Sequence, residues 1–83
     1  MERSLKALAN KRRLAIARFI KKKKEAAVGE IAGEIKLSLK ATSKHLGVLY
    51  SADILEREQK SLQGFYRLAD NLSELPRRVI SLL

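Results

Sequence analysis

Between Ser38 and Ala52 the residues able to meet a polyanion recur on one side of a helical projection. At about 100° per residue, Lys40, Ser43, Lys44, Gly47 and Ser51 fall together, and no carboxylate joins them. Small and hydroxylated side chains let a helix backbone approach base edges, while lysines meet phosphates. The opposite side gathers Thr42, His45, Leu46, Leu49 and Asp53, mostly apolar, as a core-facing stripe requires. Ser38 is placed to cap the helix, because its hydroxyl can accept from a backbone N–H one turn further on. This is the chemistry of recognition, not of bond making. Ser43 and His45 are two apart in a helix and point in different directions, so they form no nucleophile–base pair. Four glycines in 83 residues supply no phosphate-cradling loop.

The elements that must carry this face can be read around it. Ala27–Ile35, with Val28, Ile31, Ala32 and Ile35 at spacings of three and four, is predicted as a short helix. A tight turn at Lys36–Ser38 leads into the longer helix Leu39–Ala52, so the stretch from about 27 to 52 reads as a helix-turn-helix with its second helix as the reader. After Ala52 the pattern changes to period two. Ile54–Gln59 and Leu62–Leu68 are predicted strands of a hairpin, or wing, with its tip at Lys60–Ser61 or at Gln63–Gly64. Upstream, Leu5 and Leu8 mark a short helix within Met1–Ala9, and Asn10 is the expected N-cap of a second, Lys11 to about Lys22. The tail, about 71–83, returns to helical spacing with Leu72, Leu75, Val79 and Leu82; Pro76 fits if the helix starts near Ser73. The expected architecture is therefore mostly α with a small β-hairpin, in the order α-α-α-α-β-β-α, over residues 1–83 as one winged helix-turn-helix domain.

Composition narrows the partner. Eighteen Lys and Arg against nine Asp and Glu give a net charge of +9, which favours nucleic acid first and an anionic surface second. Hydrophobic residues make up 46% of the chain, enough for a globular fold, but aromatics are only 5%, so burial rests on Leu, Ile, Val and Ala. A domain this small gains apolar burial by dimerising. The absence of cysteine removes disulfides and thiolate metal sites, and a single histidine makes zinc unpromising. No signal peptide or membrane-length apolar run is visible, so an intracellular, cytoplasmic location and no membrane partner are expected.

The segments LKALANKRRLAIARFI (5–20), LSLKATSKHLGVLYSADILE (37–56) and FYRLAD (65–70) resemble the arsenical-repressor (ArsR) family of winged-helix regulators. The resemblance covers nearly the whole chain. Its most specific parts are Leu8-Ala9 with Arg13-Leu14, and the run Ser38, Ser43, His45, Leu46, Val48, Leu49. It implies a homodimeric prokaryotic transcription repressor that pairs through its first and last helices. Many members release DNA on binding a metal ion. Where metal sensors carry a cysteine pair, however, the matching positions are Ala27 and Gly29, and the last helix region offers Asp70, Asn71 and Glu74 without histidine. No tightly bound regulatory metal and no cofactor are therefore expected. Leu39 stands where members often carry a polar residue, and it suits an apolar contact to a thymine methyl.

Taken together, the expected function is sequence-specific binding of double-stranded DNA. The candidate contacts are Ser38, Leu39, Lys40, Thr42, Ser43 and Lys44 from the helix-turn-helix, and Arg57, Lys60 and Arg67 from the hairpin. Of these, Thr42 lies on the apolar side, from which its hydroxyl would have to reach a phosphate. Glu56 and Glu58 alternate with the hairpin cations, so surface ion pairs compete with DNA contact there. Leu5, Leu8, Leu72, Leu75, Val79 and Leu82 are the candidate dimer interface, with internal core as the alternative. The run Lys21–Lys24 reads either as a solvated helix end that complements the dipole or as phosphate contact. A docking module for an acidic protein partner is the competing class, and a peripheral membrane binder acting through Pro76–Leu83 is a weaker third.

Overall fold

The computed structural model describes residues 2–83. Helices α1 (Glu2–Leu8) and α2 (Lys11–Lys23) precede a short strand β1 (Ala26–Ala27); α3 (Val28–Ile35) and α4 (Leu39–Ser51) follow, then β2 (Leu55–Lys60), β3 (Gln63–Leu68) and α5 (Glu74–Ser81). This is the expected winged helix-turn-helix order with one strand added. The sheet is antiparallel throughout, in the order β1-β3-β2, and Ala26 lies opposite Tyr66 while Leu55 lies opposite Leu68. A strand of two alanines has no periodicity to betray it. Only its pairing with β3 makes it one.

Local chemistry sets the boundaries. The Asn10 side chain accepts from the backbone N–H groups of Arg12 (2.9 Å) and Arg13 (3.1 Å), which caps α2 as expected. Glu30 reaches back from the first turn of α3 to accept from the Ala27 N–H at 3.0 Å. Lys36, at φ 58, takes the left-handed residue that ends α3, and the Leu37 N–H returns to the Ala32 carbonyl at 3.1 Å. Asp53 does the same for α4 at φ 62: its N–H bonds the Tyr50 carbonyl and the Ile54 N–H bonds the Leu49 carbonyl, both at 3.0 Å. Leu49 and Ile54 are both buried, so this turn also joins the core. The hairpin turns at Ser61–Leu62, with Lys60 opposite Gln63. A positive φ of 55° at Ser61, the first central residue, matches the twist of the strands.

One core holds these elements together. Ile16, Ala17 and Ile20 of α2, Ile31 of α3, Leu46 and Leu49 of α4, and Ile54 and Leu55 after it are all buried in a single cluster. Ile80 brings α5 into that cluster, and Pro76 is fully buried in the first turn of the same helix. The lysine run at the end of α2 is put to structural use. The Lys21 ammonium donates to the Ile80 and Ser81 carbonyls, both at 3.2 Å, satisfying orphan groups at the C-terminal end of α5.

Two of the expected assignments are corrected by burial. Leu8 is only 3% exposed and belongs to the chain's own core, so it is not free to form an interface with a second copy. Thr42 is fully buried at 0% exposure, and its hydroxyl is out of reach of any phosphate. Its Oγ1 has no hydrogen-bond partner among the described residues. Leu72 and Val79 are half-buried against the core, whereas Leu5 (39%), Leu75 (39%) and Leu82 (85%) stay exposed.

Candidate nucleic-acid interface

Helix α4 is divided lengthwise as its residue types require. Thr42, Leu46 and Leu49 are buried, while Leu39, Lys40, Ser43, Lys44, Gly47, Val48 and Ser51 are exposed. The Ser38 hydroxyl accepts from the Ala41 N–H at 3.1 Å, so this side chain starts the helix as well as standing at its exposed end. The outward strip carries two lysines, two serines and a glycine, with no carboxylate on the helix. A Cβ added at Gly47 would meet nothing within 4 Å; the backbone there opens directly to the surface.

His45 sits on the boundary between the two faces, half-buried. The Arg13 guanidinium donates to its Nδ1 at 3.3 Å. Burial pushes the His45 pKa below its ordinary value, and the neighbouring charges of Arg13, Arg12 and Lys44 push it the same way. A protonated ring would set a donor against a donor as well as charge against charge. His45 is thus a neutral acceptor that ties α2 to the reading helix.

The hairpin differs from a simple cationic wing. Lys60 bonds both carboxylate oxygens of Glu25, at 2.6 and 3.1 Å, and that hydrogen bond raises the Lys60 pKa. Arg67 bridges Glu56 at 3.1 Å and Glu58 at 3.0 Å. Three cations, with Arg57, therefore face three carboxylates. The pairs are exposed, so a phosphate can compete for either cation, but neither is charge in surplus. Arg57 is different. Its guanidinium donates to the Gln59 side-chain oxygen at 3.0 Å and lies 5.9 Å from the centre of the Tyr66 ring, over Gly64. A side chain at Gly64 would push it away, since an added Cβ would come within 2.6 Å of the Arg57 guanidinium. At the tip, Leu62 is 96% exposed, an apolar side chain among the hairpin's cations.

Among the described residues no group of three or more His, Cys, Asp and Glu side chains is placed to hold a metal ion. Ala27, one of the positions matching the family's cysteines, lies in β1 and is buried; Gly29, the other, is exposed on α3. No described helix is long and apolar enough to cross a membrane.

The fold and this outward helix define a winged helix-turn-helix transcription regulator. A family model described as a helix-turn-helix domain matches residues 8–58. HlyU from Vibrio cholerae is 33% identical, over 94% of this chain and 80% of that one, with a TM-score of 0.81. The homodimeric winged helix-turn-helix DNA-binding domain Mb0332 from Mycobacterium bovis, described as a possible ArsR-family transcriptional regulator, is 33% identical over 98% of this chain and 71% of that one, with a TM-score of 0.83. The transcriptional repressor PagR of Bacillus anthracis is 26% identical over 95% and 87%, with a TM-score of 0.79. Among curated proteins no sequence match is found. The chain belongs to the ArsR family of winged-helix transcription regulators. Family and fold are those of regulators, not of enzymes.

Proposed function

We propose that this protein is a cytoplasmic, dimeric repressor that reads the major groove of duplex DNA with α4. The observation that carries the reading is the outward strip of that helix. Lys40, Ser43 and Lys44 stand exposed around Gly47 with no acidic residue, on a helix whose other face is locked into the core. Ser38 supports phosphate contact at the helix start, and Leu39 an apolar contact to a thymine methyl. Arg57 is the hairpin's available cation; Lys60 and Arg67 contribute by exchanging their carboxylate partners for phosphate.

Leu5, Leu75 and Leu82 favour self-association, since exposed leucines on a small domain gain by burial against a second copy. The Mb0332 domain is homodimeric, and PagR is a repressor. Two copies related by a two-fold axis would meet half-sites about one helical turn, 10–10.5 base pairs, apart. Residues 1–83 then act as one unit, with the helix-turn-helix at about 27–52, the wing at about 54–68, and the dimerising helix within 71–83. No tightly bound regulatory metal is needed for this reading.

Selection of genomic fragments by the protein, followed by binding measurements on the recovered site and on random duplex, tests it. Lys40→Ala or Ser43→Ala should cost about 1–3 kcal/mol on the selected site and relax one position of its sequence. If both variants stay folded and bind selected and random DNA as the parent does, α4 is not the reader. The acidic-partner docking function would then take its place.

A further inference from the structure

On the flank of α4 lies a cleft that joins the edge of its reading face, at Lys44, Gly47 and Ser51, to α1. It encloses about 510 Å³ between α1 and the second half of α4, and its rim is formed by Arg3, Lys6, Arg13 and Lys44. Among the side chains of residues 3–83, no carboxylate lines it. We propose that this cleft seats a backbone phosphate of bound duplex, so that α1 grips the nucleic acid that α4 reads. The proposal rests on the DNA-reading role of α4 given above.

Several observations converge on an anion. Arg3 and Lys6 are three apart and share one face of α1, pointing at Lys44 across the cleft. Among the side chains of residues 3–83, no carboxylate pairs with them or with Lys44, whereas Lys60, Arg67 and Arg78 are each paired. Gathering like charges around an opening is unfavourable until a counter-charge enters it. Arg13 has another task. Its Nε donates to the Ala7 carbonyl at 2.5 Å, one Nη to the Lys6 carbonyl at 3.4 Å, and the other to His45 at 3.3 Å. These bonds fasten the end of α1 to the middle of α4 and fix the width of the cleft, which makes Arg13 a positioning residue. The floor is small and largely apolar, made by Ala7, Val48 and Ala52 beside the bare backbone of Gly47. A deoxyribose edge fits such a floor, with its phosphate at the cationic rim. Lys44 belongs both to this rim and to the outward strip of α4, so a duplex laid on α4 passes the cleft.

The test uses the full chain and a random-sequence duplex two to three helical turns long, because phosphate contacts are independent of sequence. Arg3→Ala/Lys6→Ala is compared with Lys11→Ala/Arg18→Ala, which removes the same charge from the outer face of α2, where neither residue lines the cleft. Each lost phosphate contact should lower the slope of log affinity against log salt by about 0.9, which at about 0.1 M salt amounts to about tenfold in affinity. The expected result is a slope lower by about one for the α1 pair, which together hold the one seated phosphate, and unchanged for the α2 pair. If the parent binds with a steep slope and the α1 pair leaves it unaltered, the cleft is not a phosphate seat, although the role of α4 stands. Equal losses from both pairs would mean that only net charge matters, which also overturns the assignment. A parent chain that binds no duplex at all would remove both readings together.

Discussion

Thr42 offers a sharp test of the way α4 is divided. Its side chain is fully buried and its hydroxyl has no partner among the described residues, an unusual state for a buried polar atom. Leaving such a group unsatisfied costs about 1–3 kcal/mol, whereas replacing it by an apolar group of the same shape removes that cost. Valine keeps the branch at Cβ and the volume, and changes only the hydroxyl to a methyl. Thr42→Val should therefore stabilise the fold by about 1 kcal/mol, and a domain of this size would gain roughly 4–8 °C in melting temperature. Thermal unfolding followed by circular dichroism, at one protein concentration because dimerisation would couple to it, reads the change directly. DNA affinity in the same buffer should not move, since the residue lies behind the reading face. A loss of stability near 1 kcal/mol would show that the hydroxyl is satisfied in solution. A fall in DNA affinity without loss of stability would show that α4 is rotated from the orientation described above.

Three further outcomes are expected. His45 has a lowered pKa in the folded chain, so the unfolded state binds protons more readily; the associated stability is complete above the unfolded value of about 6.5 and is lost as pH falls below it. Melting temperatures should decline on that side, and His45→Gln should flatten the decline; an unchanged pH profile in the variant would acquit His45. Lys36→Gly should stabilise by up to about 1 kcal/mol, because φ 58 strains a residue with a Cβ; chemical denaturation checks it, and a loss would place the turn elsewhere. Leu75→Asp/Leu82→Asp should give folded monomers by sedimentation, since each leucine buried at an interface contributes roughly 1.5–3 kcal/mol. A parent chain already monomeric at tens of micromolar would show that the exposed leucines do not pair copies.

By itself the sequence determined the local features. Asn10 and Ser38 cap helices through their own side chains within three residues, so both starts were legible. The change from helical to alternating spacing after Ala52 marked the hairpin, and the absence of carboxylates marked the outward side of α4. What tertiary structure decided was everything that depends on what lies opposite. Two alanines became β1 only because Phe65 and Tyr66 offered a strand edge. Leu5 and Leu8 look alike in the chain, yet packing buried one and left the other at the surface. Alternating Glu56 and Glu58 left ion pairs and DNA contact both open for the hairpin cations; folding set those two carboxylates beside Arg67 and brought Glu25, 35 residues away, to Lys60. The cleft of Arg3, Lys6 and Lys44 joins residues some forty positions apart and carries no sequence signal. Caps and periodicity are short-range and are written in neighbouring residues; burial and charge pairing are long-range, and only the packed chain settles which partner each side chain meets.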